Sequence, residues 1–241
     1  MNKTYVIIGD SWGAGEWPEK DLPPYYEMPH RGLAQYLEED GNTVYNLSQG
    51  GDANLPQVAN LNHICERVFV PAKIKIDKVF AFKTEYTRDI EVFEENNINN
   101  ITTVCELESW CNSFYYTRLS EFSIQYNIPV VLIGGCADTI WIDKFSEEYP
   151  GVTIACQSMT NLLTNNNPRI GNPAFVTNAG TIFSKEVISM DKAGVTNTIG
   201  KAIERQDQWR SRRDLFWPDG VHPNRHGHLV LYNYLRDNNI L

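Results

Sequence analysis

Short apolar runs, each closing on a glycine, serine or threonine turn, alternate along this chain with segments of helical periodicity. That alternation constrains the fold more than any other feature. Thr4–Ile8 is rich in β-branched residues and stops at Gly9-Asp10-Ser11. The stretch 43–47 runs into the turn Ser48-Gln49-Gly50-Gly51-Asp52, Lys78–Lys83 into Thr84, and 129–134 into Gly134-Gly135. Runs of this length and composition read as buried strands. Between them, 31–39 places Leu33, Tyr36 and Leu37 on one helical face, with Gly41 as its stop. The segment 55–70 reads as a helix with Pro56 in its first turn. The segment 104–126 reads as a long amphipathic helix whose candidate core positions are Leu107, Cys111, Phe114, Tyr115, Leu119 and Phe122. A polar loop is expected over 94–100, helix- and loop-rich material over 152–200, and a last helix over 226–236.

Strands that alternate with helices predict a parallel sheet covered on both faces. Such a sheet binds its ligand outside the carboxyl ends of the strands, so the four turns are expected along one edge. A chain of 241 residues is long enough to bury a sizeable core. No repeat, low-complexity tract or Gly/Ser linker divides it, and one α/β domain over 1–241 is the expectation.

Charge and cysteine usage remove several function classes. A net charge of −9 argues against a nucleic-acid partner, which needs a basic face. The five cysteines, Cys65, Cys105, Cys111, Cys136 and Cys156, are odd in number and form no CxxC pair. Reduced, mostly buried thiols are therefore expected rather than a disulfide framework or zinc knuckle. The run Tyr5-Val6-Ile7-Ile8 is too short for a signal-peptide core, and no apolar stretch is long enough to span a bilayer. The expectation is a soluble protein without a cleaved leader or membrane partner, cytoplasmic or associated with a particle.

Two distant segments carry the chemistry. Ile7-Ile8-Gly9-Asp10-Ser11-Trp12 delivers a serine from a strand onto a turn, and Asp219-Gly220-Val221-His222-Pro223-Asn224 places a carboxylate three positions before a histidine. Serine, histidine and carboxylate are the parts of a nucleophilic hydrolase site, recognised by role and not by chain order. An aspartate at that spacing can accept the Nδ1 proton of the imidazole on one tight turn, which leaves Nε2 free for the serine. Taken singly, Ser11 reads as a turn cap and Asp219 as a helix cap; taken together they favour the triad.

Gly-Asp-Ser-Trp at the first strand end, with Asp-Gly-Val-His-Pro-Asn continuing into Gly227-His228, resembles the SGNH (GDSL-type) hydrolase family. The resemblance covers the whole chain in order. It implies a flavodoxin-like three-layer α/β/α sandwich with a central parallel sheet. It also implies Ser11 as nucleophile, His222 as general base and Asp219 as the group that orients His222. Family members stabilise the oxyanion with the nucleophile's own N–H, a glycine N–H and an asparagine side chain. Asn46-Leu47-Ser48-Gln49-Gly50-Gly51-Asp52 matches the glycine block, with Gly51 as the better register and Gly50 as the alternative. The asparagine block is absent. Phe82-Lys83-Thr84-Glu85-Tyr86-Thr87-Arg88 stands in its place, a Thr-x-x-x-Arg version familiar from divergent, often phage-encoded members. Thr84 is expected to donate through its hydroxyl and Arg88 to place a cation near the developing charge.

The implied activity is hydrolysis of a short acyl ester, small-molecule or glycan, such as a carbohydrate O-acetyl group, with no metal or organic cofactor. Two alternatives share the scaffold: a non-catalytic binding or structural module of a virion or cell surface, and an acyltransferase. Other motifs carry less. Gly13-Ala14-Gly15 lacks the third glycine of a dinucleotide loop, because Pro18 stands there. His222, His226 and His228 invite a zinc reading, but 226 and 228 do not share a helical face. His30 and His63 read as ordinary surface or core histidines. Trp12, Trp17, Tyr25 and Tyr26 cluster after the nucleophile, where they suit either a sugar ring, an acyl chain or loop packing.

Overall fold

A computed structural model of the chain describes residues 2–16, 29–89, 104–139, 144–170, 210–216 and 222–241. Five strands form one sheet: β1 (Thr4–Ile8), β2 (Thr43–Asn46), β3 (Lys78–Lys83), β4 (Val130–Gly134) and β5 (Val152–Cys156). Their order is β2-β1-β3-β4-β5, and each neighbouring pair is parallel. The helices are α1 (Ser11–Ala14), α2 (Leu33–Glu39), α3 (Asn54–Ile64), α4 (Val104–Tyr126), α5 (Phe145–Glu148), α6 (Met159–Leu163) and α7 (Arg225–Asp237).

Side chains alternate across a strand, and here both faces are apolar. Val6, Ile8, Val79, Ala81, Val130 and Leu132 pack with residues of α3 and α4, among them Val58, Leu61, Tyr115 and Leu119. Tyr5, Ile7, Phe80, Phe82, Val131 and Ile133 pack with Leu33 and Leu37 of α2, Met159 and Leu163 of α6, and Leu231 and Leu235 of α7. The result is the three-layer α/β/α sandwich with the flavodoxin-type strand order.

The expected elements shift modestly. The helix expected over 31–39, α2, starts at Leu33, two residues late, because Gly32 at φ +57° lies outside α-helical geometry. The helix expected over 55–70 splits into α3 and a π-helical turn at Cys65–Phe69. On α4, Cys111, Tyr115, Leu119 and Phe122 are buried as expected and Phe114 is half-buried, while the side chain of Leu107 lies outside the described set. The segment read as helix and loop from 152 onward instead opens with β5. As an edge strand it is buried only at Val152 and Cys156, so it lacks the continuous apolar run that marks the other strands. The loop expected over 94–100 lies outside the described residues. Cys65, Cys111, Cys136 and Cys156 are free, buried thiols. Among the described residues no helix is long and apolar enough to cross a membrane.

Candidate active site

The chain leaves β1 toward β2 on one side and later returns through β3 on the other. The carboxyl ends of β1 and β3 therefore flank the topological switch point, where parallel sheets bind ligands. Ser11 opens the single turn of α1 directly after β1, and its residue is 6% exposed. Asp10 caps this turn, its Oδ1 accepting the Trp12 N–H at 3.0 Å. Trp12 is no platform for a substrate: it is fully buried and packs edge-on against Phe216. Trp17, Tyr25 and Tyr26 lie outside the described residues.

His222 arrives from the other end of the sequence. Its Nε2 stands 2.9 Å from the Ser11 Oγ across a separation of 211 positions. Pro223 bridges to Phe216, and the Asn224 N–H donates to the Leu215 carbonyl at 2.9 Å. The Asn224 side chain then caps α7, Oδ1 accepting the His226 and Gly227 N–H groups. His222 thus sits just before a segment closed by a helix cap. Asp219 lies outside the described residues.

Gly50 and Gly51 sit on an exposed turn after β2. The Asp52 N–H donates to the Gln49 carbonyl at 3.2 Å and Gly51 adopts φ +80°, the type II geometry that favours glycine at that corner. Asn46, just before, donates to the Gly13 carbonyl at 3.0 Å and so ties this turn to α1.

The third block departs from the expectation for Thr84. That residue is fully buried, and its hydroxyl lies 2.8 Å from both Asp10 Oδ2 and Glu85 Oε2. A hydroxyl carries one proton, and here it faces carboxylates rather than the edge where an oxyanion would form. Arg88 does reach that edge. Its Nε pairs with Glu85 Oε2 at 2.8 Å, and its Nη1 lies 3.4 Å from Asp10 Oδ2 and 3.3 Å from the Asp52 carbonyl. The guanidinium is one-quarter exposed and adjoins the Asp52-Ala53 peptide. Burial pushes the Asp10 carboxyl up to about 6, against the pull of Arg88.

Local patterns gave no hint of the groups that hold this block. The Asn54 side chain accepts the Thr84 N–H at 2.9 Å and donates to its carbonyl at 3.1 Å, clamping the backbone of one residue from α3. Asp89 accepts from Asn54 Nδ2 and the Leu55 N–H, each at 2.9 Å, and burial pushes its carboxyl up to about 6. Cys136 donates from Sγ to Glu85 at 3.3 Å. Asp10, Glu85 and Cys136 are close enough to share a cation, and Arg88 lies against both carboxylates. His228 is fully buried against Gly32 while His226 is exposed, so the C-terminal histidines do not converge.

No family model matches the chain, and no curated protein matches it. Solved structures similar to it include the lipase Lip_vut3 from a goat rumen metagenome, 14% identical over 98% of this chain and 97% of that one, with a TM-score of 0.45. The psychrotrophic esterase EstA from Pseudoalteromonas sp. is 13% identical over 98% and 96%, at 0.44. A variant of Axe2, an acetyl-xylooligosaccharide esterase from Geobacillus Stearmophilus, is 12% identical over 98% and 93%, at 0.38. Likenesses at this level carry no argument about the site, which stands on its own geometry.

Proposed function

We propose that this chain is an SGNH-type serine esterase that cleaves short acyl esters. The observation that carries the reading is the 2.9 Å contact between Ser11 Oγ and His222 Nε2, made by residues from opposite ends of the sequence at the switch point of the sheet. His222 takes the Ser11 proton as the oxygen attacks the ester carbonyl, and returns it to the departing alcohol. Water, deprotonated by the same imidazole, then attacks the acyl-serine and releases the acid. Asp219 orients the imidazole through Nδ1, a role that rests on its spacing from His222.

The N–H groups of Ser11 and Gly51 stabilise the oxyanion. Arg88 supplies the positive charge that the missing asparagine leaves open, because its guanidinium donates to the Asp52 carbonyl, one residue after Gly51. Thr84 is given no part in this role, because its buried hydroxyl already engages Asp10 and Glu85. The substrate class, an acyl ester such as a carbohydrate O-acetyl group, follows from the motif resemblance. A non-catalytic module is the second reading, favoured by the engagement of the Thr84 hydroxyl with carboxylates.

The test combines a fluorophosphonate probe with p-nitrophenyl acetate. Ser11 should be labelled, and Ser11→Ala and His222→Ala should each lower turnover by on the order of 10⁴-fold or more. Arg88→Ala should lower it roughly a hundredfold. Folded protein with neither labelling nor Ser11-dependent turnover would be the non-catalytic module.

A further inference from the structure

We infer that Glu16 and Arg225 are positioning residues that hold the imidazole of His222 against Ser11. This inference rests on the esterase reading of those two residues. The core fixes Ser11, which follows a fully buried strand end. His222 stands on a segment before α7 that is held where Pro223 bridges to Phe216 and the Asn224 N–H donates to the Leu215 carbonyl.

Beside the packing of α7 with α2, a polar link between the two halves is made at Arg225. Glu16 Oε2 accepts the Arg225 N–H at 2.5 Å and its Nε at 2.9 Å, while Oε1 accepts Nη2 at 3.0 Å. From the other side, the Tyr36 hydroxyl donates to the Arg225 carbonyl at 2.9 Å. Both peptide groups of Arg225 are thus gripped by residues of the N-terminal half.

Glu16 is itself held in place. Its side chain is 4% exposed, and its N–H donates to the His30 carbonyl at 2.8 Å in an antiparallel bridge. Gly15, at φ +131°, allows that bridge to close, because a Cβ there would lie 2.5 Å from the same carbonyl. A closed circuit results. It runs from Ser11 along a short stretch of chain to Glu16, across to Arg225, back along a short stretch to His222, and home through the 2.9 Å contact. The Ser11–His222 side of the circuit is one hydrogen bond. The opposite side is a bidentate, charge-assisted pair with a backbone bond added. Releasing that side removes a tie that stands three residues from His222 and five from Ser11, and misplacement of a catalytic group by about 1 Å can cost about a hundredfold in rate.

The experiment uses the full chain with Glu16→Gln, Glu16→Ala, Arg225→Met and Arg225→Lys, beside wild type and Ser11→Ala. Each is measured for fluorophosphonate labelling rate, for kcat and KM on p-nitrophenyl acetate, and for its melting temperature, with kinetics well below melting. Glu16→Ala should lower the labelling rate and kcat by up to about a hundredfold with KM little changed. Arg225→Met should lose less, because its backbone N–H still meets Glu16, and the double variant Glu16→Ala/Arg225→Met should be no worse than Glu16→Ala alone. Arg225→Lys should recover part of the loss as a point charge. Folded Glu16→Gln and Arg225→Met proteins that label at the wild-type rate, or whose loss lies in KM or melting temperature alone, would overturn the positioning role while the esterase reading stands. Wild-type protein that fails to label at Ser11 would overturn both.

Discussion

Asp10, immediately before Ser11, and Glu16, at the close of the same turn, are both buried carboxylates on one short stretch of chain, yet their surroundings differ in kind. Behind Ser11, Asp10 and Glu85 share one guanidinium and one hydroxyl, and Arg88 lies closer to Glu85 than to Asp10. Burial there outweighs the cation, and the Asp10 carboxyl rises to about 6. Near His222, Glu16 has Arg225 to itself. Burial opposes its charge, but the bonds from Arg225 prevail and hold its carboxyl below the ordinary range. Ser11 therefore follows a crowded cluster of carboxylates at the strand end, whereas His222 lies three residues before a matched ion pair. The first arrangement costs stability to keep a strand end rigid; the second spans two distant segments.

The largest effect should come from the clamp on the nucleophile side. Asn54→Ala removes both bonds to the Thr84 backbone and one to Asp89, leaving several buried groups without partners. Urea unfolding should show a loss of about 3 kcal/mol or more. A smaller effect is expected from Thr84→Val, which keeps the shape and removes the hydroxyl. Unfolding should show a loss of about 1–2 kcal/mol, whereas ester turnover should fall far less than the roughly hundredfold loss of an oxyanion donor. A hundredfold loss would mean that the hydroxyl leaves its carboxylates during catalysis.

The contrast between the two carboxylates also predicts opposite pH dependence. Unfolded, Asp10 and Asp89 release their protons near pH 4; folded, they hold them to about 6. Between those values the folded protein binds more protons, so their contribution to stability falls as pH rises. Glu16 runs the other way: its depressed folded value adds stability above its unfolded pKa, lost as pH drops through the folded one. Unfolding measured across pH 3–7 should show Asp10→Asn flattening the decline between about pH 4 and 6, and Glu16→Gln removing the gain from its lower end. The smallest effect should come from Arg118→Ala on α4, which breaks an exposed pair with Glu121. Stability should change by no more than about 0.5 kcal/mol and turnover not at all, which calibrates the buried pairs against a solvated one.

The legible parts of this molecule are those that local sequence determines. β1, β3 and β4 are uninterrupted apolar runs because both faces of a parallel sheet are covered, and the turn at Gly50-Gly51 is written in its glycines. Ser11 and His222 were readable because each stands in a short motif whose spacing has a chemical reason. β5 was missed because an edge strand mixes exposed and buried positions, as Thr153 and Ile154 do beside Val152. Asn54 and the Glu16–Arg225 pair were missed for a different reason. Their partners lie 30 and 209 positions away, and a buried amide or carboxylate looks in sequence like any surface one. Thr84 shows the limit of motif reading: its place in the block was visible, but the direction of its hydroxyl depends on Asp10, a neighbour that only the fold supplies.

The Glu16–His30 bridge has an evolutionary corollary. It ties the segment that carries Ser11 to the segment that leads into α2. Sequence between the two bridged positions can therefore vary across a lineage while the anchoring of Ser11 at the strand end is inherited unaltered.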